Sequence, residues 1–272
     1  MRILLSYAYK PYTTAVYYER AFRAMGHEVT TCPPDDWAWA THDPLPDLFL
    51  WIEAGGGIRP RAIFSGILSC ALYIDSHTQR TWHIPDARRY DHVFVADIRY
   101  VGEYGPNAHW LPMACDPELH TPTRTRPPEY DVAFVGHCYG DSPLYADRRR
   151  TLAELQKRYR CNFVEGVYFK DMADVYASAR VAFNKSVMGE LNMRVFEAAC
   201  SGRPVVTDAV EGLDALEAPI GQYQDDIGMH AMISVLLKNH DFAGPMGDQW
   251  RRWALRHTYQ HRAAEMLKAV GA

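Results

Sequence analysis

The 272-residue chain lacks the features that mark several common classes of protein. No apolar run approaches the roughly 20 residues of a membrane-spanning helix, so no membrane span is expected. The formal net charge is only −4, so the charge balance does not point to nucleic acid or to an anionic membrane as a partner. The N-terminal "MRILLSYAYKPY" has no small-residue cleavage site, and we read it as the first strand of a fold and not as a signal peptide.

Cysteine pairs, metal-binding triplets and the common phosphate loop are missing as well. The six cysteines are scattered without a C-x-x-C pair, which predicts reduced thiols in a cytoplasmic protein. There is no D-x-D triplet and no cluster of metal ligands, so we expect no metal. The pattern G-x-x-x-x-G-K-[ST] is absent, which excludes a P-loop.

What the chain does contain is an alternation of short apolar strands with amphipathic helices. In the first half, "RILLSY", "DLFLWIEAGGG", "CALYIDSH" and "HVFVAD" predict strands, and "TTAVYYERAFRAMGHEV" predicts a helix that stops at Gly26. After the proline-rich "CDPELHTPTRTRPPEY" the alternation restarts with "DVAFVGHCYG", and the stretch from about Asp225 is helical throughout. This spacing predicts an α/β fold with parallel sheets covered by helices on both faces.

Two such blocks joined by a proline-rich segment predict two Rossmann-like domains facing across a cleft. We place the first domain at residues 1–118, the linker at 119–130 and the second domain at 131–255, with a C-terminal helix over 256–272. In open parallel sheets, ligands bind beyond the carboxyl ends of the strands. The loops that follow the strands are therefore the places to search for functional residues.

The segment "GELNMRVFEAACSGRPVVTD" places a carboxylate, Glu197, in the middle of a short helix. Asn192 is a good N-cap. Arg194 falls in the first turn, where the helix dipole disfavours a cation, so we expect it to have an anionic partner. That partner is either Glu197, in a surface pair of about 0.2–0.5 kcal/mol, or a phosphate bound at the helix N-terminus. In the second case Glu197 would accept hydrogen bonds from ribose hydroxyls.

The segments "ELNMRVFEAACSGRPVVTD", "DVAFVGHCYG", "RRRTLAEL" and "HTYQHRAAEML" together resemble the donor-binding half of GT-B glycosyltransferases. The branch named for the spore-maturation protein CgeB is the most similar, and "DHVFVADIRYVGEYG" and "HWLPMACDPELH" resemble that group too. The resemblance covers roughly residues 72–272. It implies an acceptor-side first domain, a second domain that binds a nucleoside-diphosphate sugar, with a UDP-sugar favoured, and a C-terminal helix that crosses back to the first domain.

The resemblance also implies roles for single residues. A glutamate at the position of Glu197 holds the ribose, and relatives carry a second glutamate eight residues earlier, where this chain has Gly189. The Gly136 loop allows close backbone approach to a diphosphate. Arg148 or Arg149 is the arginine favoured for the diphosphate, although a solvated face is the commoner role for any one residue of "RRR". The residues expected to bind the donor are Gly136, His137, Arg148, Arg149, Tyr168, Lys185, Leu191, Asn192, Met193, Arg194 and Glu197.

The best candidates in the first half are Asp75 and His77, which follow a strand and so lie at the carboxyl end of the sheet. A paired carboxylate and imidazole can deprotonate an acceptor hydroxyl as catalytic residues, or His77 can form a hydrogen bond with the donor sugar. The alternative is a loop aspartate that caps a turn beside an ordinary histidine. Glu53, before three glycines, and the tyrosines of "YAYKPYTT" are further candidates at this edge.

The sequence therefore predicts a metal-independent glycosyltransferase that moves a hexosyl or pentosyl group from the donor to a hydroxyl of a small molecule, a glycan or a modified DNA base. Two alternatives stay open. One is a sugar-nucleotide epimerase or hydrolase, which would turn over the nucleotide sugar without an acceptor. The other is a non-catalytic module that binds the nucleotide sugar, an alternative that the missing second glutamate favours.

Overall fold

A computed structural model describes residues 1–10, 12–36, 44–54, 57–61, 63, 66–123, 127–138, 140–219 and 221–272. The chain divides into two compact units: unit 1 is Met1–Pro112 with Tyr259–Ala272, and unit 2 is Met113–Thr258. Gly55 and Gly56 of the predicted glycine loop, and part of the predicted linker, lie outside the described residues.

Unit 1 is built on a six-stranded parallel sheet with strand order β2-β1-β3-β4-β5-β6. The central strands are mostly apolar and buried on both faces, as expected for a parallel sheet between helices. The strands are β1 (Arg2–Ser6), β2 (Glu28–Cys32), β3 (Leu48–Ile52), β4 (Leu68–Tyr73), β5 (His92–Val95) and β6 (Ala108–Trp110), and the helices are α1 (Thr14–Ala24), α2 (Ser76–Ala87) and α9 (Tyr259–Ala269).

Large aromatic side chains fill the core of unit 1. The ring centroids of Trp51 and Tyr73 are 5.4 Å apart, with the rings edge to face. The C-terminal helix α9 packs on α1, where Tyr259 stacks on Tyr17 at 4.7 Å. Burial of each such ring contributes about 1.5–3 kcal/mol. The C-terminal segment is thus part of the core of unit 1.

Unit 2 is built on a five-stranded parallel sheet with strand order β11-β10-β9-β7-β8. Its buried core includes Phe134, Phe183 and Ile233. The elements are α3 (Pro117–His120), β7 (Tyr130–Val135), α4 (Ala146–Gln156), β8 (Cys161–Val164), α5 (Phe169–Ala177), β9 (Ala179–Asn184), α6 (Met193–Cys200), β10 (Val205–Asp208), β11 (Gln222–Tyr223), α7 (Asp226–Lys238) and α8 (His240–Leu255).

The strand order of each sheet reverses once. In unit 2, β7 pairs with β8 on one side and with β9 on the other, through Val132 opposite Val181. In unit 1 the corresponding reversal lies between β2 and β3, on the two sides of β1. At such a point the connections leave in opposite directions and open a crevice at the carboxyl ends of the strands. Those ends, after β7 and β9 and after β1 and β3, are where ligands are expected.

The predicted strands and the α/β class are confirmed. The helix predicted over "TTAVYYERAFRAMGHEV" is α1, and Gly26, with its left-handed φ of 85°, stops it as predicted. Asp75 and His77 were expected in a loop after β4, but His77 lies in the first turn of the helix α2 and Asp75 is its N-cap residue. The segment read as a linker begins with the helix α3 and is bonded to α5, where Asp174 accepts from the backbone N–H of Thr123 at 2.7 Å.

The helices of both units are short. Within the residues that the structure describes, none of them combines the length and the apolar character needed to cross a membrane.

Candidate functional site

Helix α6 begins at the crevice of unit 2 and is held there by its cap and its apolar face. The Asn192 side chain accepts from the backbone N–H of Arg194 at 3.1 Å, which satisfies one of the free donors of the first turn. Phe196 stacks on Trp253 of α8 with ring centroids 4.9 Å apart. The helix therefore presents a fixed N-terminus, with its positive dipole end, at the carboxyl edge of the sheet.

Arg194 points across this edge. Its Nε lies 3.4 Å from Oδ1 of Asn184, and its guanidinium lies 5.9 Å from the centroid of the Phe134 ring. Asn184 is buried at the end of β9 and donates to Oγ1 of Thr207 at 2.9 Å. These contacts fix the direction of the Arg194 side chain and leave its charge near the ends of β7 and β9.

Gly136, which follows β7, makes room for that guanidinium. Its φ is 144°, in a region that residues with a Cβ rarely adopt. A Cβ at this position would lie 3.3 Å from Nη1 of Arg194 and 3.2 Å from Cζ of Phe134. The group that approaches this glycine closely is therefore the cationic side chain of Arg194.

A second guanidinium, that of Arg148 in α4, is buried at the same place. Its Nε donates to the Lys185 carbonyl at 3.0 Å and its Nη1 to the His137 carbonyl at 3.4 Å. Its Nη2 is buried and has no hydrogen-bond partner in the described part of the chain. Burial, followed by the positive charge of Arg194, lowers the pKa of Arg148 to about 9. The cationic form is thus held where it lacks both water and a complete set of acceptors.

Lys185, the residue after β9, brings a third cation. Its Nζ lies 2.8 Å from the Asp147 carboxylate and 3.4 Å from that of Asp208. Burial by itself lowers the pKa of Lys185, but the hydrogen bond to Asp147 and the charge of Asp208 outweigh it, so the pKa is raised. Asp208 also accepts from the backbone N–H of Ser186 at 2.8 Å, which fixes the start of the loop after β9.

Three cations from three different elements therefore converge where β7 and β9 end. One of them, Arg148, keeps an unused buried N–H, which costs about 1–3 kcal/mol as long as it stays unpaired. An anion with several oxygens would remove that cost and the repulsion between the two guanidinium groups. Together with the N-terminus of α6, these cations have the chemistry to hold an anion such as a phosphate group.

Glu197 lies deeper in unit 2, on α6, and is only 2% exposed. The alternative of an exposed ion pair with Arg194 is therefore wrong. Its Oε1 lies 3.5 Å from Nε2 of His120 in α3, and His120 itself is fully buried. A buried carboxylate needs donors around it. The role of Glu197 as a ribose ligand stays a prediction.

The other predicted donor residues lie on or near the same edge but differ in exposure. Arg149 is half-buried and donates to the Ser142 carbonyl at 2.9 Å. His137 is exposed, with Nδ1 4.0 Å from the Glu165 carboxylate. The rest are Tyr168, which is 40% exposed and precedes α5, Leu191, which is buried, and Met193, the half-buried first residue of α6.

In unit 1 the predicted catalytic pair lies at the carboxyl end of β4. Asp75 is the N-cap residue of α2 and is half-buried, whereas His77 is buried in the first turn. Glu53, which follows β3, is 1% exposed and accepts from the backbone N–H groups of Ile74 and Asp75 at 3.1 and 3.0 Å. Glu53 thus fixes the turn that carries the pair, and their catalytic role stays a prediction.

A buried polar network is bonded to Ser76, the first residue of α2. Nδ1 of His83 lies 3.0 Å from the Tyr104 hydroxyl, which lies 2.7 Å from Oγ of Ser76. Burial, with a smaller contribution from His77, lowers the pKa of His83 to about 3, so this imidazole is neutral at pH 7. A neutral ring keeps the network free of a buried cation, and the turn stays rigid.

Sequence reasoning did not single out Asn184, which orients Arg194, or His120, which faces Glu197. Asn184 is the last residue of β9, and no motif in the sequence marks it as functional. His120 lay in the predicted linker, but the dipeptide Asp116-Pro117 gave a usable signal, since Asp at the N-cap followed by Pro at the first position is typical of a helix start.

Residues 118–268 match a family model described as Glycosyl transferase-like. No curated protein matches the chain. Sucrose-phosphate synthase from Thermosynechococcus elongatus superposes with a TM-score of 0.67 at 15% identity, over 98% of this chain and 97% of its own.

Two further structures match over 100% of both chains at 11% identity. They are an alpha-glucosyltransferase in complex with UDP and a 13-mer DNA containing a central A:G mismatch, with a TM-score of 0.65, and T4 phage BGT in complex with its UDP-glucose substrate, with a TM-score of 0.59. At these identities the likeness concerns the fold, and the predicted α/β fold of GT-B architecture is confirmed.

Proposed function

Because the chain belongs to the glycosyl transferase-like family, and is therefore a glycosyltransferase, we propose that it transfers a sugar from a UDP-sugar to a hydroxyl-bearing acceptor without a metal ion. Two similar structures hold UDP or UDP-glucose, which supports the choice of base. We also propose that the chain falls in the CgeB-like branch, on the motifs around Glu197.

The observation that carries the proposal is the buried Arg148 with its unpaired Nη2 beside Arg194. In this proposal the diphosphate of the donor lies against both guanidinium groups, Lys185 and the N-terminus of α6. When the bond between sugar and diphosphate breaks, negative charge accumulates on the leaving UDP. Cations that are already in place stabilise that charge without rearrangement, which is the main source of catalysis here. A metal ion is not needed for this.

Glu197 then binds the ribose. A carboxylate offers acceptors and no donors, which suits the two vicinal hydroxyls of a ribose. On the acceptor side, we propose that Asp75 or His77 removes the proton of the attacking hydroxyl. The acceptor is a glycan, a small molecule or a modified base in DNA, and all three belong in the acceptor panel of an activity assay.

A thermal-shift panel tests the donor. Wild-type protein is mixed with UDP, ADP, GDP and TDP and with their glucose conjugates, and we expect UDP and UDP-glucose to raise Tm most. Glu197→Gln, which keeps the size of the side chain, should lose most of this shift. Glu154→Gln, a carboxylate on the exposed end of α4 that pairs with Lys157, is the matched control and should behave as the wild type. If no nucleotide stabilises the wild type, the proposal fails.

A further inference from the structure

His120 faces the carboxylate to which the proposed function gives the ribose. It is the last residue of α3, is fully buried, and places Nε2 3.5 Å from Oε1 of Glu197. This imidazole comes from the segment before β7 and Glu197 from α6, so the two residues are 77 positions apart and meet only in the folded unit.

The tautomer of His120 follows from its second nitrogen. Nδ1 lies 2.9 Å from the backbone nitrogen of Asp116, whose N–H has to donate to it. An Nδ1 that accepts carries no proton, so the proton of the neutral ring is on Nε2, the atom that faces Glu197. The hydrogen bond thereby determines both the orientation of the ring and which nitrogen donates.

The segment around His120 is itself held on both sides. The Asp116 carboxylate accepts from the backbone N–H of Glu118 at 2.9 Å and caps α3. Upstream, the backbone N–H of Cys115 donates to the His257 carbonyl at 3.1 Å. Downstream, Thr123 donates to Asp174 of α5 from both its backbone N–H and its hydroxyl. The imidazole therefore cannot swing away from Glu197 without breaking these contacts.

We propose that His120 is a positioning residue that donates from Nε2 to one oxygen of Glu197 and turns the carboxylate so that it accepts from the ribose hydroxyls. This inference rests on the proposed function. The donation also compensates part of the cost of burying the carboxylate, but a merely structural role would affect all nucleotides equally. Positioning for the ribose affects only those nucleotides that carry the diol.

Two substitutions of His120 test the hydrogen bonds of the two ring nitrogens one at a time. The amide nitrogen of Gln reaches about as far as Nε2, so His120→Gln keeps the donor toward Glu197 and loses the acceptor for Asp116. The amide oxygen of Asn reaches about as far as Nδ1, so His120→Asn keeps the acceptor for Asp116 and loses the donor toward Glu197.

The measurement is the ratio of Kd for 2′,3′-dideoxy-UDP to Kd for UDP, by calorimetry, in the wild type and both variants. We expect a ratio of about tenfold or more in the wild type, since hydrogen bonds to a charged group are lost with the diol. His120→Gln should keep most of this ratio, and in His120→Asn the ratio should fall toward one. A His120→Asn protein with the full wild-type ratio overturns the inference but leaves the ribose contact of Glu197 intact. A wild-type ratio of one overturns the ribose contact and the inference with it.

A second measurement uses the wild type and does not depend on how the Asn variant folds. In protein labelled with 15N-histidine, the His120 signal is assigned by its loss in His120→Gln. We expect the Nε2–H tautomer, and a shift of that proton when UDP is added but not when 2′,3′-dideoxy-UDP is added. A proton on Nδ1, or equal shifts with both nucleotides, contradicts the inference.

Discussion

Arg148 and Arg194, from two different helices, lie over the same aromatic ring: their guanidinium carbons are 5.6 and 5.9 Å from the centroid of Phe134. Two like charges so close together repel each other, and the π-face of the ring offsets only part of that repulsion. In the proposed function, the diphosphate of the donor would lie against both charges. The two residues are separable by experiment, because only Arg148 is buried with an unpaired N–H.

Arg148→Met should weaken UDP binding without loss of fold. The variant loses two hydrogen bonds but also a buried cation with a like-charged neighbour, so we expect the ligand-free Tm to stay close to that of the wild type. The Kd for UDP should rise about tenfold to a hundredfold, the value of charge-assisted bonds to phosphate. Arg150→Met, which removes a surface cation of the same helix that pairs with Asp226, is the control, and its Kd should be unchanged. A large Tm loss with normal UDP binding would show that Arg148 is structural.

Gly136→Ala should weaken UDP binding, because it strains the backbone after β7 and crowds Arg194. The positive φ costs about 1–3 kcal/mol for a residue with a Cβ, and the new methyl group pushes against Arg194 and Phe134. We expect a lower Tm and weaker UDP binding. Gly140→Ala is the matched control, because Gly140 also has a positive φ but nothing within 4 Å of an added Cβ. If both variants bind UDP as the wild type does, the crowding argument is wrong.

Substitutions in unit 1 should separate catalysis from nucleotide binding. Asp75→Asn and His77→Gln are expected to leave the UDP-induced Tm shift unchanged, since both residues belong to unit 1. Loss of the catalytic base should slow transfer about a hundredfold or more. The readout is UDP release from UDP-glucose across the acceptor panel, with Glu103→Gln, an exposed carboxylate, as the control. Full activity in both variants would show that neither Asp75 nor His77 is the catalytic base.

Removal of divalent cations tests the charge arrangement as a whole. We expect the Kd for UDP and the rate of transfer to be the same in EDTA as in Mg²⁺ or Mn²⁺, because Arg148, Arg194, Lys185 and the N-terminus of α6 supply the positive charge. Activity that disappears in EDTA and returns with Mn²⁺ would show that a metal ion is required after all.

The sequence by itself determined the fold class and the edge at which the site lies. The period of apolar residues sets strands and helices, and parallel strands place all their carboxyl ends on one side. The resemblance around "ELNMRVFEAACSG" added the donor class. The spacing of Asn192, Arg194 and Glu197 on one short helix is local, so the sequence was sufficient to single them out.

Only the tertiary structure decided which arginine of the run at 148–150 turns inward, because the three lie on different faces of α4 and the sequence does not show which face meets the sheet. Arg148 is buried, whereas Arg150 pairs with Asp226 at the surface. The contact of His120 with Glu197 also required the structure. A contact between residues distant in the chain depends on how α3 and α6 pack, and packing depends on the whole unit and not on local spacing.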